Sequence, residues 1–312
     1  MKTGLVIRST GSWYEVRQEG GAVIKCRIQG KFRIRDIKST NPIAVGDWVD
    51  FDLQQDDTGV IKDIHDRKNY IIRKSVNLSK RSHIIASNVD QAILMVTVAN
   101  PKTSTGFIDR FLVCAEAYQI PVKIVFNKID LLNENDKKQL NYLEWLYQDI
   151  GYQTYLTSAT EITGVEEVKE LMKGKVSLVA GHSGVGKSTL INVLDPSLNL
   201  KTGDISEAHN KGRHTTTFAE MFELEFGGFI VDSPGIKGFG IVDIEKRELG
   251  HYFPEFRKRM EQCKFNNCQH INEPDCAIIE AVEKENIPAE RYANYLAIHS
   301  DNEDESYRDK GY

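Results

Sequence analysis

Two short segments carry residues whose types and spacing suit nucleotide chemistry. Residues 181–189 read Gly181, His182, Ser183, Gly184, Val185, Gly186, Lys187, Ser188 and Thr189. Gly181 and Gly186 leave the backbone free to wrap, so that successive N–H groups and a helix N-terminus point at phosphates. Lys187 is placed to reach the β- and γ-phosphates, and Ser188 to ligate Mg²⁺. Upstream of this loop stand Asn127, Lys128, Ile129 and Asp130. A carboxylate at Asp130 accepts two hydrogen bonds from the N1–H and exocyclic amine of guanine, a donor pair that adenine lacks. The expected ligands are therefore GTP and GDP. Asn127 is expected to brace the loop and help read the base, with the Lys128 stem packing over the ring.

Three weaker segments complete the set. YLTSAT (155–160) offers Ser158 and Ala159, a loop whose backbone N–H suits the guanine O6. RHTTT (213–217) supplies threonines for a first switch, and DSPG (232–235) supplies a second. Asp232 is suited to support Mg²⁺ from just beyond its direct ligands, and the Gly235 N–H to meet the γ-phosphate. One of Thr215, Thr216 and Thr217 should touch both Mg²⁺ and the γ-phosphate; the spacing leaves open which. His214 is a candidate internal contributor to hydrolysis, with a plain surface histidine as the alternative. The position after DSPG is Ile236, where Ras-like enzymes carry a water-orienting glutamine. An aliphatic side chain orients no water, so unaided turnover should be slow and a partner should accelerate it. In chain order the segments run base, base, phosphate, switch, switch, which is the usual order of such domains cyclically shifted.

The elements that must position these residues are legible around them. Asn127 follows the apolar run PVKIVF, Gly181 follows KVSLVA, and Asp232 ends GGFIV. Each motif thus sits at the carboxyl end of an extended stretch, where an open α/β sheet presents its ligand contacts. From about residue 82, apolar runs alternate with helical patterns. Leu140, Leu143, Leu146 and Tyr147 recur at three- and four-residue spacing and mark the buried stripe of one helix. Before that domain lies RKSVNLSKRSHIIASNVD (73–90), read as a basic linker.

Residues 1–75 have a different texture. Short β-rich stretches (GLVIRS, SWYEVRQ, AVIKCRI, FRIRDI, GDWVDFDL, GVIKDI and YIIRKS) alternate with Gly, Asp and Asn turns, which predicts a small barrel. The expected form is a five-stranded oligonucleotide-binding (OB) barrel. This segment holds 14 Lys or Arg against 10 Asp or Glu, a balance of +4 within a chain of net charge −5. Any attraction to RNA must therefore be local. Lys25, Arg27, Lys31, Arg33 and Arg35 alternate along KCRIQGKFRIR, so several should share one strand face; that face either tracks RNA or is simply solvated. Trp13, Tyr14 and Phe32 either stack bases or fill the barrel core.

Of five cysteines, Cys26 and Cys114 stand alone in apolar surroundings and are expected in cores. Cys263, Cys268, His270 and Cys276 cluster. Three thiolates and an imidazole are expected to form a closed tetrahedral site for one structural Zn²⁺; the alternatives are an accidental cluster and a catalytic zinc, the latter disfavoured because no coordination position is left for a substrate. The zinc would fold a loop too poor in apolar residues to hold itself. His251, Arg257, Lys258, Arg259 and Lys264 lie nearby and either face RNA phosphates or are solvated.

The permuted order, together with a flanking barrel and a zinc segment of this spacing, resembles the ribosome-small-subunit-dependent GTPase A (RsgA) family across nearly the whole chain. The resemblance implies a multidomain α/β fold: an OB-fold β-barrel at 1–75, a circularly permuted P-loop GTPase domain at 82–242, and a C-terminal zinc-binding helical module at 243–300. The acidic tail 301–312 is expected to be disordered. It further implies a GTP hydrolase acting late in maturation of the small (30S) ribosomal subunit, with that subunit and its rRNA as partners, and acting as a monomer. The rival reading is a nucleotide-gated RNA-binding scaffold in which hydrolysis is incidental. No run approaches the roughly 18 apolar residues of a membrane span, and the first residues lack a signal-peptide core, so the expected location is cytoplasmic.

Overall fold

The computed structural model describes residues 1–28, 42–74, 82–200, 220–232 and 244–300. Strands β1 (Lys2–Ser9), β2 (Tyr14–Arg17), β3 (Val23–Ile28), β4 (Trp48–Leu53) and β5 (Gly59–Ile64) close a barrel. Its order is β1-β2-β3-β5-β4, with β4 returning to β1 and β3 lying parallel to β5. Alternation along the strands sends Val6, Tyr14, Val16, Cys26, Val49, Phe51 and Ile61 inward, where they form one core. Gly59 lies where a Cβ would come 2.4 Å from Cys26 Sγ, so a side chain there would collide with that core.

The seventh apolar stretch is not a barrel strand. β6 (Tyr70–Lys74) pairs antiparallel with β7 (Ser82–Ser87), inside the segment read as a linker. A buried latch fastens this hairpin to the barrel. Arg67 Nε donates to Asp47 Oδ1 at 2.6 Å, and Ser87 Oγ donates to the same oxygen at 2.5 Å. Gly46, at φ +94°, lets the barrel backbone approach Ser87, whose carbonyl oxygen would stand 2.0 Å from any Cβ.

The nucleotide domain alternates strand and helix. Its elements are β8 (Gln91–Val96), α1 (Thr105–Ala117), β9 (Val122–Phe126), α2 (Glu134–Ile150), β10 (Gln153–Leu156), α3 (Val165–Met172), β11 (Val176–Ala180), α4 (Lys187–Leu194), β12 (Glu220–Glu223) and β13 (Phe229–Asp232). The sheet order is β10-β9-β8-β11-β13-β12, parallel except for the β12–β13 pair. One face packs on α1 and α2, the latter through Leu140, Leu143, Leu146 and Tyr147. The other packs on α3 and α4 through Val168, Met172, Leu190 and Ile191. Asn133 caps α2 by accepting from the N–H groups of Asn135 and Asp136. β1 pairs with β12, so barrel and nucleotide domain share one eleven-stranded sheet.

The C-terminal module is helical, with α5 (Pro254–Arg257), α6 (Ala277–Glu283) and α7 (Ala289–Ser300). Its core takes in Leu249, Phe253, Phe256, Ile278, Ile287 and Tyr295, and also Val113 from α1. Arg291, fully buried, donates from Nε to Glu255 Oε1 at 2.7 Å, and its Nη1 lies 2.5 Å from Asp109 Oδ1 on α1. Asn294 and Tyr147 also donate to Asp109.

Candidate nucleotide and metal sites

Three of the nucleotide segments lie within the described residues, and they converge, with Asp232 at the end of β13, at the carboxyl edge of the parallel sheet. The loop after β11 carries Gly181 at φ +145° and Gly186 at φ +97°. A Cβ at 181 would meet Met95 O at 2.3 Å, and one at 186 would meet Asn127 Nδ2 at 2.4 Å. These two positions therefore require glycine for close approach as well as for conformation. Val185 is fully buried and Ser188 nearly so, whereas Ser183 and Gly184 face outward. Lys187 Nζ donates to the carbonyl oxygens of Gly181 and His182, each at 2.7 Å, which holds the ammonium over the mouth of the loop. Thr189 continues the first turn of α4.

Asn127 ties the base-reading loop to this one. Its Nδ2 donates to Val185 O at 2.8 Å, and its Oδ1 accepts from Thr157 Oγ1 at 3.0 Å. Lys128 adopts a left-handed backbone and donates from Nζ to Asn100 O at 2.8 Å. Ile129 and Asp130 form a short 3₁₀ turn after β9. Asp130 Oδ2 accepts from Thr160 Oγ1 at 3.2 Å, while Oδ1 is buried with no hydrogen-bond partner among the described residues. A buried carboxylate oxygen of that kind suits a ligand that brings donors, as guanine does. The Ser158 hydroxyl contributes most to holding the Asp130 carboxyl below its ordinary value, so the group is ionised. Ser158 and Ala159 are both buried beside it.

Asp232 ends β13, opposite Glu220 of β12. His214, Thr215, Thr216, Thr217, Gly235 and Ile236 lie outside the described residues, as do Lys31, Phe32, Arg33, Arg35 and the tail 301–312.

In the C-terminal module the ligand atoms of Cys263, Cys268, His270 and Cys276 all lie within 4.8 Å of one another. A tetrahedral Zn²⁺ with Zn–S near 2.3 Å has ligand-to-ligand edges of roughly 3.7 Å, so the set fits such an ion. His270 turns Nδ1 to the sulfurs, 3.4 Å from Cys276 Sγ and 3.7 Å from Cys263 Sγ. Its Nε2 is buried against Gly250. Without a cation, burial pushes the Cys268 thiol up to about 12 and holds His270 below its ordinary value. A bound divalent cation reverses that balance by favouring thiolate. The loop is held from outside the ligand set as well. Tyr292 and Tyr295 of α7 donate to the carbonyls of His270 and Gln269 at 2.8 and 2.6 Å, and the Glu273 carboxylate accepts from the N–H groups of Gln269, Ile271 and Asn272.

A sequence profile described as RsgA GTPase matches residues 64–242, and one described as RsgA N-terminal domain matches residues 3–61. The chain belongs to the RsgA GTPase family. Among its relatives, the small ribosomal subunit biogenesis GTPase RsgA of Flavobacterium psychrophilum is 57% identical, over 98% of this chain and 94% of that one. The RsgA 2 protein of Bacteroides thetaiotaomicron is 56% identical over 98% of each chain. Among solved structures, YjeQ from Thermotoga maritima aligns with TM-score 0.78 and 39% identity over 96% of this chain and 97% of its own. YloQ, a circularly permuted GTPase, aligns with TM-score 0.75 and 31% identity over 96% and 94%.

Family membership carries GTP hydrolysis on a permuted domain, and this RsgA-family chain adds contacts the motifs did not announce. Thr157, Asn100 and Thr160 support Asn127, Lys128 and Asp130; only Thr157 and Thr160 stood within a segment already singled out. Phe107, in the first turn of α1, packs against the His182 ring at a tilt of 33°, with centroids 3.8 Å apart. Glu273 sits three residues from both His270 and Cys276, a spacing that carries no sequence signal of its role. In the barrel, Tyr14 fills the core, whereas Trp13 is outside with the Arg27 guanidinium 5.9 Å over its ring. Lys25 and Arg27 are exposed on β3. Arg257, Arg259 and Lys264 are engaged with Glu116, the Glu255 carbonyl and Asp275. No helix among the described residues is long and apolar enough to cross a membrane.

Proposed function

We propose that this chain is a Mg²⁺-dependent GTP hydrolase of the cytoplasm that acts, as a monomer, in late maturation of the small ribosomal subunit. It binds the subunit and its rRNA in the GTP state and leaves after hydrolysis that the subunit stimulates. The observation that carries the reading is the joined nucleotide site: Asn127 clasps Val185 of the phosphate loop while the buried Asp130 Oδ1 awaits donors. The small-subunit biogenesis GTPases to which nearly the whole chain is similar supply the biological setting.

In this reading the N–H groups of residues 181–189 bind the phosphates, Lys187 neutralises the β- and γ-oxygens, and Ser188 holds Mg²⁺. Asp232 would support the metal, and one of Thr215, Thr216 and Thr217 would complete its shell. The Gly235 N–H would meet the γ-phosphate, and His214 would be an internal contributor to hydrolysis. Mg²⁺ supplies charge compensation on the transferring phosphoryl group. With Ile236 unable to orient water, the partner completes the site. Zn²⁺ on Cys263, Cys268, His270 and Cys276 stiffens the C-terminal module, and the barrel offers Trp13, Lys25 and Arg27 to RNA. The working units are residues 1–75, 82–242 and 243–300, with 301–312 a disordered tail.

The test is steady-state GTP hydrolysis with and without purified small subunits, with large subunits and ATP as controls. Selective acceleration by small subunits is expected. Equal rates with either subunit, or with none, would overturn the stimulated-hydrolase reading.

A further inference from the structure

Among the described residues the barrel is joined to the nucleotide domain twice, and the two joints differ in kind. The first is the β6–β7 hairpin with its buried Asp47–Arg67–Ser87 latch. The second lies on the other flank, where β1 lines up along β12. One register pair, Arg8 with Glu220, forms there among the described residues. Around it are partly exposed charges: Arg8 Nε lies 3.7 Å from Glu220 Oε1, and the half-buried Arg17 engages the exposed Glu223 in a two-pronged contact, its Nε donating to Oε2 at 2.8 Å. The Arg17 guanidinium also sits 5.6 Å over the Phe229 ring.

The hairpin held in this way is the one between the two switch segments. β12 begins directly after residues 201–219, which contain RHTTT, and β13 ends at Asp232 of DSPG. The register runs in a straight line across three strands: Arg8 faces Glu220, and Glu220 faces Asp232. At the far end Glu223 faces Phe229, and Arg17 touches both. Arg8 and Arg17 therefore grip the hairpin at its two ends from the barrel side. Leu5 of β1 is buried in the same core as Met221 and Val231, so a shift of β1 against the hairpin repacks that core.

We propose that Arg17 and Glu223 are positioning residues through which barrel and nucleotide state bias one another: displacement of the barrel moves the hairpin that ends at Asp232, beside the nucleotide site, and the nucleotide state of that site sets how firmly the barrel docks. The proposal rests on the nucleotide reading above. Coupling between sites is reciprocal, so it is measurable from the nucleotide side without any ribosomal partner. Of the two joints, this exposed one yields and the buried latch serves as the pivot.

The test uses the full chain and amide hydrogen exchange of peptides covering residues 1–17 and 220–232, with GDP and with a non-hydrolysable GTP analogue. In the wild type, exchange of residues 1–17 should differ between the two nucleotides by about threefold, the size an exposed ion pair supports. Arg17→Glu and Glu223→Arg should each remove at least half of that difference while fluorescent-GTP binding stays within twofold. The double reversal R17E/E223R should restore most of it. State-independent exchange in the wild type, single reversals that keep the difference, or a double reversal no better than the singles would overturn the coupling. Loss of GTP binding in the wild type would instead overturn the nucleotide reading on which it rests.

Discussion

Glu273→Gln tests whether the Cys₃His loop is shaped by the chain as well as by a metal. Glu273 Oε1 accepts from the Gln269 N–H at 2.6 Å, and Oε2 accepts from Ile271 and Asn272 at 2.8 and 3.1 Å. Burial opposes the charged form, but these N–H groups prevail and draw the carboxyl from its ordinary 4.5 down to about 2. A carboxyl depressed on folding contributes stability that is present above its ordinary value and lost as pH falls toward the depressed one, so the whole contribution operates at pH 7. The drop sets a ceiling of roughly 3 kcal/mol at 1.36 kcal/mol per pH unit. Partial exposure lowers this to about 2 kcal/mol. Glutamine keeps the shape but must turn its amide N–H toward one backbone N–H, donor against donor, a cost of about 1–3 kcal/mol. The expectation is therefore about 2 kcal/mol, or roughly 30-fold weaker zinc retention at pH 7, measured by competition with a chromophoric chelator. Glu283→Gln, on an exposed face, is the control and should change nothing. Zinc affinity in E273Q within twofold of wild type would refute the idea that the carboxylate preforms the loop.

Three further outcomes follow from the same geometry. Gly186→Ala places a Cβ 2.4 Å from Asn127 Nδ2 at φ +97°, so strain of about 1–2 kcal/mol plus loss of the Asn127–Val185 bond should weaken fluorescent-GTP binding by roughly 30-fold without unfolding the chain. Asp130→Asn replaces an acceptor with a donor against the guanine amine; GTP affinity should fall roughly 100-fold while xanthosine triphosphate, with a carbonyl at that position, binds more tightly than GTP. Arg291→Met strands Asp109 and Glu255 in the core and should cost about 3–5 kcal/mol in denaturant unfolding. The triple D109N/E255Q/R291M should recover part of that loss.

Much of the nucleotide site was legible because each motif is anchored to an apolar run that can only be a strand, and strand ends are where such sheets bind ligands. The order of NKID before GHSGVGKS announced the permutation with no reference to packing. The illegible parts are those in which short segments take their state from a distant partner. SHIIAS has too few apolar residues between polar flanks to declare itself, and becomes β7 because β6 offers it an edge. YIIRKS is as rich in strand-forming residues as the barrel stretches, but strand propensity names no neighbour. Glu220–Glu223 is four residues long with a charge at each end, and is a strand because β13 holds it on one side and Arg8 meets it on the other. Contacts that support the site fall in the same class: Phe107 reaches His182 from α1, and the same helix sends Asp109 to Arg291 and Val113 into the C-terminal core. Helical spacing places Asp109 and Val113 on one face, four residues apart. It gives no sign that this face meets a module encoded nearly two hundred residues later, because a buried aspartate becomes tolerable only once Arg291, Asn294 and Tyr147 surround it. The sequence of α1 alone thus reads as an amphipathic helix with a misplaced acid, and the acid is explained by its partners on α7 and α2.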